Sequence, residues 1–361
     1  MRLIDLLHRW TGGFIGLLLA LLGLSGAILV HRRWWVMLPH VRDAQDQSTS
    51  QLAATTERLM TSAATHPRTI TFADRDFGLN RLTFKGTAGA YTDQSGNIVT
   101  TWSSQWERPE LWLFDLHRRL LAGDIGETIV GLAGLVGIAF VITGTLLWWR
   151  TRKTFFFRLL PKRLSRPAII RHHRDFGIVL APLLLLSFVT GTLLIFRPLT
   201  VLAFGPGAPA AIKAMLAPPK KGAVELGPAL DWAAMVKEAR VRFPDAEVRS
   251  LSLPTKQRGV ITLRMRQPEE WVPGGRTVAW FDPSNGQMIA ARDARSLPRE
   301  ARAYNLLLAL HAAEVGGLIY RLVMTASGLA LMILGSFTVW TFWFKRGKPI
   351  PTSRTPNDTQ A

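Results

Sequence analysis

Five of the eight histidines stand where long apolar stretches of the chain begin or end: His8, His117, His172, His173 and His311. An imidazole at such a position can ligate a metal centre, or it can face lipid headgroups as an ordinary polar group. For a single histidine the second interpretation is favoured. The chain has no cysteine, which excludes disulfides, thiolate-bound clusters and thiol catalysis. Any redox chemistry must therefore use another cofactor.

The elements that must position these histidines are four stretches without Asp, Glu, Lys or Arg. They run from Trp10 to Val30, Thr128 to Trp149, Phe176 to Phe196 and Leu322 to Phe344. Each is long enough, at about 1.5 Å per residue, for a helix to cross a hydrocarbon core of about 30 Å with its backbone hydrogen bonds satisfied. No A-x-A-like cleavage site follows the first stretch before His31, so we expect a retained helix and not a signal peptide.

The formal net charge of +19 is placed beside these stretches. Between the second and third stretches lie nine basic residues, with no acidic residue among them from Arg150 to Arg174: Arg150, Arg152, Lys153, Arg158, Lys162, Arg163, Arg166, Arg171 and Arg174. Lys345, Arg346 and Lys348 follow the fourth. By the positive-inside rule both segments and the N-terminus are cytoplasmic, and the loops after the first and third stretches lie outside. This placement explains the charge without nucleic acid as a partner.

The four stretches form two matched pairs. His8-Arg9 with Gly12 corresponds to His173-Arg174 with Gly177 at an offset of 165, and Leu116-His117 corresponds to Leu310-His311 at an offset of 194. The same offsets match further positions: Ser25-Gly26 with Thr190-Gly191, Arg32 with Arg197, Gly123 with Gly317, Gly134 with Gly328, and Trp149 with Trp343. The pattern predicts a parallel repeat about an axis along the membrane normal.

Each outer loop has the pattern of a small α+β unit. In the first loop the pattern predicts a helix over Gln51 to Ala64 and strands near Arg68 to Phe72 and Leu79 to Phe84, with Tyr91-Thr92-Asp93 leading into a turn at Ser95-Gly96. In the second it predicts a helix over Asp231 to Phe243, strands at Val248 to Leu253, Val260 to Arg266, Thr277 to Phe281 and around Met288, and a turn at Asp282-Pro283-Ser284-Asn285-Gly286. Residues Phe204 to Pro228, rich in Gly, Pro and Ala, are interpreted as a connector.

These features together resemble the PepSY-associated transmembrane-helix family. The resemblance rests on spans that open with His-Arg-x-x-Gly, returning spans preceded by Leu-His, and loops with Asp-Pro-x-x-Gly-like turns, and it covers about residues 3 to 347. The turn of the first loop lacks the proline, so the first module is the weaker match. The resemblance implies an inner-membrane reductase that passes electrons to ferric siderophores and carries b-type haem in its membrane region.

The predicted fold is a membrane α-helical bundle with four transmembrane helices in two parallel repeats, plus two small periplasmic α+β (PepSY-like) modules. The segments are transmembrane helix 1 at 1–33, module 1 at 34–115, transmembrane helix 2 at 116–150, a basic cytoplasmic loop at 151–171, transmembrane helix 3 at 172–197, module 2 at 198–305, transmembrane helix 4 at 306–346 and a cytoplasmic tail at 347–361. The predicted location is the bacterial inner membrane, with both termini cytoplasmic.

On this resemblance the matched histidines are candidate axial ligands of two b-type haems. His8 and His173 form the cytoplasmic pair, and His117 and His311 form the outer pair. His172 stays an alternative to His173, but adjacent helical residues point about 100° apart, and the repeat selects His173. His31 is first a surface or substrate-side residue and second a ligand. Arg9 and Arg174 are either partners of the haem propionates or topology determinants.

The height of His117 depends on the chain between it and the second span. It precedes the secure apolar part of that span, at Ile129, by twelve residues. A straight helix would lift it by about 18 Å above the hydrocarbon. Gly123 and Gly126 could instead bend the segment back towards the membrane.

The preferred function is a haem-containing electron-transfer protein that reduces a ferric siderophore in the periplasm during iron uptake. The electron donor is another protein or a quinol, because no G-x-G-x-x-G unit or other nicotinamide or flavin site is recognisable. The alternative is a non-enzymatic, membrane-anchored PepSY module that binds peptide or a peptidase. Transport ranks lowest, because no apolar stretch carries an acidic or basic residue inside it.

Overall fold

The computed structural model of the protein describes residues 2–61, 66–219, 222, 225–255 and 259–344. Four of its helices are long and apolar enough to cross a membrane, as the sequence predicts. They are α1 (Arg2–Leu29), α5 (Gly123–Thr151), α6 (Arg166–Ile195) and α11 (Gly317–Trp343). The predicted tail at 347–361, and Lys345, Arg346 and Lys348, lie outside the described residues.

Seven shorter helices surround these four in the described part of the chain. They are α2 (Arg32–Trp35), α3 (Thr49–Thr61), α4 (Pro109–Arg119), α7 (Thr200–Phe204), α8 (Ala208–Leu216), α9 (Trp232–Arg242) and α10 (Arg299–His311). Helix α8 lies inside the predicted connector, and that interpretation was wrong there. Its Ile212 and Met215 are buried against α10, and Pro209 near its start suits the first turn of a helix.

The tightest packing in the bundle joins α1 to α11 through glycines. A Cβ atom at Gly328 would lie 2.6 Å from the carbonyl oxygen of Gly23, and one at Gly16 would lie 2.9 Å from the carbonyl oxygen of Gly335. Lipid offers no hydrophobic drive for helix association, so such close backbone approach supplies the packing energy. The outer surface of α1 is apolar and exposed, for example at Leu17, as expected for a surface against acyl chains.

Replacement of Gly328 by alanine is expected to destabilise the bundle. The added methyl group meets backbone atoms of α1, and overpacking of this kind costs about 1–3 kcal/mol. The measurement is thermal unfolding of the purified protein in detergent. Gly177→Ala is the matched control, because its new Cβ would meet Leu334 at an ordinary 4.0 Å. Equal unfolding temperatures for the two variants would contradict the close-packed interface.

Outside the four spans the chain builds one eight-stranded antiparallel sheet. Its strands are β1 (Thr69–Thr71), β2 (Asn80–Thr83), β3 (Gly89–Thr92), β4 (Ile98–Trp102), β5 (Glu247–Ser252), β6 (Ile261–Arg266), β7 (Thr277–Phe281) and β8 (Met288–Arg292). The order is β4-β3-β2-β1-β5-β6-β7-β8. Each predicted strand therefore has an observed counterpart, and β7 has the predicted bounds. The predicted end of the first helix, beyond Thr61, falls on residues 62–65, outside the described residues.

The two halves of the sheet, one from each loop, are joined where β1 pairs with β5. Ile70 of β1 lies opposite Leu251 of β5, and both are buried. Helices α3 and α9 pack together on one face of the sheet, and Met60 and Val236 belong to the same core as the junction. The sequence predicts two small modules. The structure unites them into one sheet domain with a shared core.

The sheet domain lies at one end of the bundle, which we call the sheet side. The other end, called the loop side, carries the first turn of α1 and the basic segment between α5 and α6. On the sheet side, α4 and α10 lead from the sheet domain into α5 and α11. Both connections reverse direction through residues with positive φ: Leu120, Leu121 and Gly123 in the first, and Ala313, Gly316 and Gly317 in the second.

Candidate functional site

The four matched histidines meet in two pairs inside the bundle. The ring centres of His8 on α1 and His173 on α6 are 6.3 Å apart at the loop side. Those of His117 on α4 and His311 on α10 are 6.1 Å apart at the sheet side. The rings of the first pair are inclined by 84° and those of the second by 43°. The pairs are those that the sequence matches, although each pair joins residues far apart in the chain.

The reversal after α4 decides the height of His117. A straight helix would lift His117 away from the spans, but the turn at Leu120 to Gly123 folds α4 back against α1. The His117 ring consequently lies against Gly26, where a Cβ atom would be 3.1 Å from its Cε1. His311 lies against Gly191 in the same way, at 3.0 Å. Glycine at these two positions therefore makes room for the rings.

A hydroxyl group on a neighbouring span holds the Nδ1 atom of each ring. For the sheet-side pair, His117 Nδ1 is 3.0 Å from Ser25 Oγ, and His311 Nδ1 is 3.0 Å from Thr190 Oγ1. For the loop-side pair, His8 Nδ1 is 2.8 Å from Thr143 Oγ1, and His173 Nδ1 is 3.2 Å from Thr338 Oγ1. The hydroxyls fix the orientation of every ring in both pairs.

The hydrogen bonds of the hydroxyl groups also favour one position for the ring proton. Each hydroxyl donates to the backbone carbonyl four residues earlier, as Ser25 does to Leu21 at 2.8 Å and Thr190 to Leu186 at 2.7 Å. Thr143 and Thr338 do the same with Ala139 and Leu334. If the hydroxyl hydrogen is used in this way, the hydroxyl oxygen accepts from Nδ1–H of the histidine. A neutral ring then has its lone pair on Nε2, which is the arrangement typical of ligating histidines.

Each pair lines a cavity. The loop-side cavity has a volume of about 710 Å³ and contains His8 and His173 in its wall. The sheet-side cavity has a volume of about 510 Å³ and contains His117 and His311. Both volumes fall within the range of about 300–1,000 Å³ that is usual for sites of small molecules and cofactors. Four apolar side chains belong to both walls and separate the two cavities: Leu19, Leu184, Phe188 and Leu331.

The rings of each pair are spaced as two ligands of one metal would be. A metal between two imidazole nitrogens, each about 2 Å from it, puts the ring centres about 6 Å apart. Among the described residues no group of three or more His, Asp or Glu side chains could hold a bare metal ion. Two imidazoles per site would suit a prosthetic group that supplies the other ligands of its metal, and the residues present would fit a haem.

The two alternative histidines lie outside the pairs. The ring of His172 stacks on Phe176, and its Nε2 lies 3.1 Å from the backbone carbonyl oxygen of Leu159. The Nε2 atom of His31 lies 2.8 Å from Thr325 Oγ1, and its ring is next to Trp34. The structure therefore pairs His173, and not His172, with His8. The assignment of the pairs as haem ligands remains a prediction.

The two candidate propionate partners already have acidic neighbours. Arg174 donates from Nε and Nη2 to both carboxylate oxygens of Asp175, at 2.7 and 2.8 Å, and Asp175 is buried. Arg9 lies 3.6 Å from Asp5 on the exposed side of α1. Both arginines line the loop-side cavity. Their role towards a cofactor stays a prediction, and Arg174 has the stronger alternative partner.

The sequence reasoning missed a network of ion pairs that attaches the sheet domain to the bundle. Asp74, in the loop between β1 and β2, accepts from Arg33 of α2 at 2.9 Å and from Arg249 of β5 at 2.8 Å. Asp76 of the same loop accepts from Arg321 of α11 at 2.8 Å. Arg33 and Arg321 also line the sheet-side cavity. No spacing in the sequence signals these pairs, because each joins distant segments.

The charges around Asp74 set the direction of its pKa shift. Burial by itself raises the pKa of the Asp74 carboxyl, but Arg33 and Arg249 outweigh it and hold the pKa below the ordinary value of 3.8. A carboxyl with a lowered pKa stabilises the folded state fully above its ordinary pKa. That contribution is lost as the pH falls through the lowered value.

Replacement of Asp74 by asparagine is expected to weaken the docking of the sheet domain. Hydrogen bonds to charged groups contribute about 1.5–3 kcal/mol, and a loss of about this size is expected near neutral pH. The measurement is the free energy of unfolding in detergent between pH 3 and pH 7. The wild type should lose stability below about pH 4, and Asp74→Asn should lack that part of the loss. Asp245→Asn, at an exposed site, is the control and should follow the wild type.

The fold and the paired cavities define a multi-pass membrane protein with an attached antiparallel sheet domain. The chain belongs to the family described as the PepSY-associated TM region, whose sequence model matches residues 6–346. This match confirms the family resemblance seen in the sequence. No curated protein is significantly similar to the chain.

Proposed function

We propose that this protein is a haem-containing electron-transfer protein of the bacterial inner membrane, built from two parallel copies of one unit. In this proposal it reduces a ferric siderophore in the periplasm during iron uptake. The observation that carries the proposal is the geometry of the two histidine pairs. In each pair the rings are about 6 Å apart, Nδ1 is fixed by a hydroxyl, and Nε2 is left for a ligand. The acceptor and the inner membrane come from the family resemblance.

The residues of the chain have distinct parts in this proposal. His8 with His173, and His117 with His311, would hold two b-type haems, which supply one-electron redox chemistry when bound. Ser25, Thr143, Thr190 and Thr338 orient the rings and keep their Nδ1 protons in place. The apolar wall between the cavities excludes water from the interior of the bundle.

The spacing of the two sites along the bundle is the same in both halves. Ser25, which holds His117, follows His8 by 17 residues on α1, and Thr190, which holds His311, follows His173 by 17 residues on α6. At about 1.5 Å per residue the two levels are about 25 Å apart along the helices. An extended cofactor in each cavity would make the distance between the two cofactors shorter than this. The four shared apolar side chains lie between the cavities.

The distribution of charge supports the proposed orientation. The basic segment between α5 and α6 belongs to the loop side, and the positive-inside rule assigns such segments to the cytoplasm. The sheet domain and the sheet-side cavity then face the periplasm, where a ferric chelate would arrive. The donor, another protein or a quinol, would deliver electrons at the loop side.

The test is the reduced-minus-oxidised absorption spectrum of the protein purified in detergent, with dithionite as reductant. Bands of b-type haem are expected. His117→Ala or His311→Ala should remove one haem population, and His8→Ala or His173→Ala should remove the other. His172→Ala is the matched control, because this buried neighbour of His173 bonds to Leu159 and should retain both populations.

Two outcomes would contradict the proposal. A purified protein without b-type haem bands would favour the alternative of a membrane-anchored module that binds peptide or a peptidase. Loss of haem on changing His172, with none on changing His173, would show that the loop-side pair is assigned to the wrong residue. Folding of each variant is checked by its elution in size-exclusion chromatography.

A further inference from the structure

The sheet-side cavity carries a strong excess of positive charge. Its wall contains six arginines, Arg32, Arg33, Arg118, Arg197, Arg276 and Arg321, and two acidic residues, Glu127 and Glu314. Arginine is fully charged at neutral pH, and its guanidinium forms paired hydrogen bonds with carboxylates. The six arginines differ in whether they have an acidic partner.

Four of the six arginines are already matched by acids. Glu314 lies 3.4 Å from Arg32 and 3.6 Å from Arg33. Glu127 lies 3.0 Å from Arg118 and 3.0 Å from Arg119. Arg321 is bound to Asp76 of the sheet domain, as described above. Glu314 and Glu127 are each already paired with two arginines, and neither is paired with Arg197 or Arg276.

Arg276 and Arg197 are the remaining two. Arg276 lies immediately before β7. Among the described residues of the strands and the loops between them, it is the one that lines the cavity. Its Nε donates to Asn305 Oδ1 at 2.9 Å, and within the described part of the chain no other side-chain hydrogen bond or ion pair involves it. Arg197 has no ion pair with a described residue and acts repulsively on Arg276.

The surroundings of Arg276 penalise its charge. Burial lowers the pKa of Arg276, Tyr304 and Glu270 oppose that effect, and Arg197 and Arg292 add to it. Glu270 forms no ion pair with the Arg276 guanidinium, and its carboxylate accepts hydrogen bonds from the backbone N–H of Gln267 and the hydroxyl of Thr277. A buried charge without a contacting partner is destabilising, and a bound anion would remove that penalty.

Comparison of the two halves shows how the site arises. Arg197 is the counterpart of Arg32 at the offset of 165, and Arg32 has Glu314 as its partner. At the offset of 194 the counterpart of Glu314 is Leu120, which cannot pair with Arg197. On this side of the mouth, where the matched position has no acid, a second cation, Arg276, enters the cavity wall from the sheet domain. Arg197 is exposed, so an anion from outside the chain can reach the two cations.

We propose that Arg197 and Arg276 form a carboxylate-binding site at the sheet-side mouth of the cavity. Asn305, on the same helix as His311, holds the Arg276 guanidinium in place through Nε. The rest of the cavity wall is largely apolar, so the ligand that fits combines an apolar body with a carboxylate edge. Such an edge has two sources: the propionates of a haem between His117 and His311, or a carboxylate of a molecule that enters from the sheet side.

The first arm of the test measures citrate binding to the purified full-length protein by isothermal titration calorimetry. If the carboxylate comes from outside, citrate binds to the wild type, and Arg276→Gln and Arg197→Gln bind it at least about tenfold more weakly. Arg32→Gln is the matched control, because Arg32 is the counterpart of Arg197 but is already paired with Glu314. This variant should bind citrate as the wild type does.

The second arm measures the reduction midpoint potentials of the bound haems by spectroscopic titration. If the carboxylate is a haem propionate, citrate does not bind, and Arg276→Gln and Arg197→Gln lower the potential of one haem component while Arg32→Gln does not. This arm rests on the proposed function, and the citrate arm does not. In a protein without haem, citrate binding alone decides.

The proposal is overturned if citrate binds no better to the wild type than to Arg276→Gln and the potentials of the two proteins agree. It is equally overturned if Arg32→Gln has the same effect as Arg197→Gln, because the charge of the whole mouth would then matter and not this pair. Thermal unfolding of each variant verifies that the fold is intact. Arg276→Lys retains the charge but loses the planar fork. Its citrate affinity or haem potential should therefore lie between the values of Arg276→Gln and the wild type.

Discussion

A histidine ring in the interior of a membrane bundle cannot leave its N–H group without an acceptor, because no bulk water is present there. A serine or threonine hydroxyl whose hydrogen is donated to a carbonyl of its own helix is one acceptor that a neighbouring span can supply. Each of the four rings uses it, and each bond joins two different helices: α1 to α5, α6 to α11, α4 to α1 and α10 to α6. The requirement of one N–H group therefore fixes both the ring and the neighbouring helix.

The two cavities form because the helices pack closely in the middle of the bundle and are further apart at its two ends. Glycines bring α1 and α11 into backbone contact near the middle of the bundle, whereas the histidine-bearing segments stand apart at both ends. The reversals after α4 and α10 return His117 and His311 to the level of Ser25 and Thr190. Without these left-handed turns the second pair would lie in the sheet domain. The bundle is therefore closely packed in its middle and has one cavity towards each end.

The sequence was sufficient for the spans, the matched histidines and most of the strands, because hydrophobic length, residue alternation and constant offsets can be read directly from the order of the residues. It also contained a signal for two of the hydroxyls, since Ser25 and Thr190 match at the same offset as His8 and His173. Thr143 and Thr338 carry no such signal, because the offset of 194 puts them opposite Phe337 and Gly144. The pairing of β1 with β5 was equally invisible, since a strand of three residues does not reveal its partner.

The two repeats differ in the charged residues that they place at the sheet-side mouth of the cavity. Arg33 corresponds to Pro198, Glu314 to Leu120 and Arg321 to Glu127. The side of the sheet-side mouth formed by α2 and α11 is therefore ion-paired to the sheet domain, and the matched positions on the other side are not. A symmetric scaffold would present the same surface twice. Here Arg33 and Arg321 attach the sheet domain, whereas Arg197 and Arg276 lie in the cavity wall without an ion pair to a described residue. The matched positions supply the histidines of both pairs, and the unmatched positions make the two sides of the mouth different in charge.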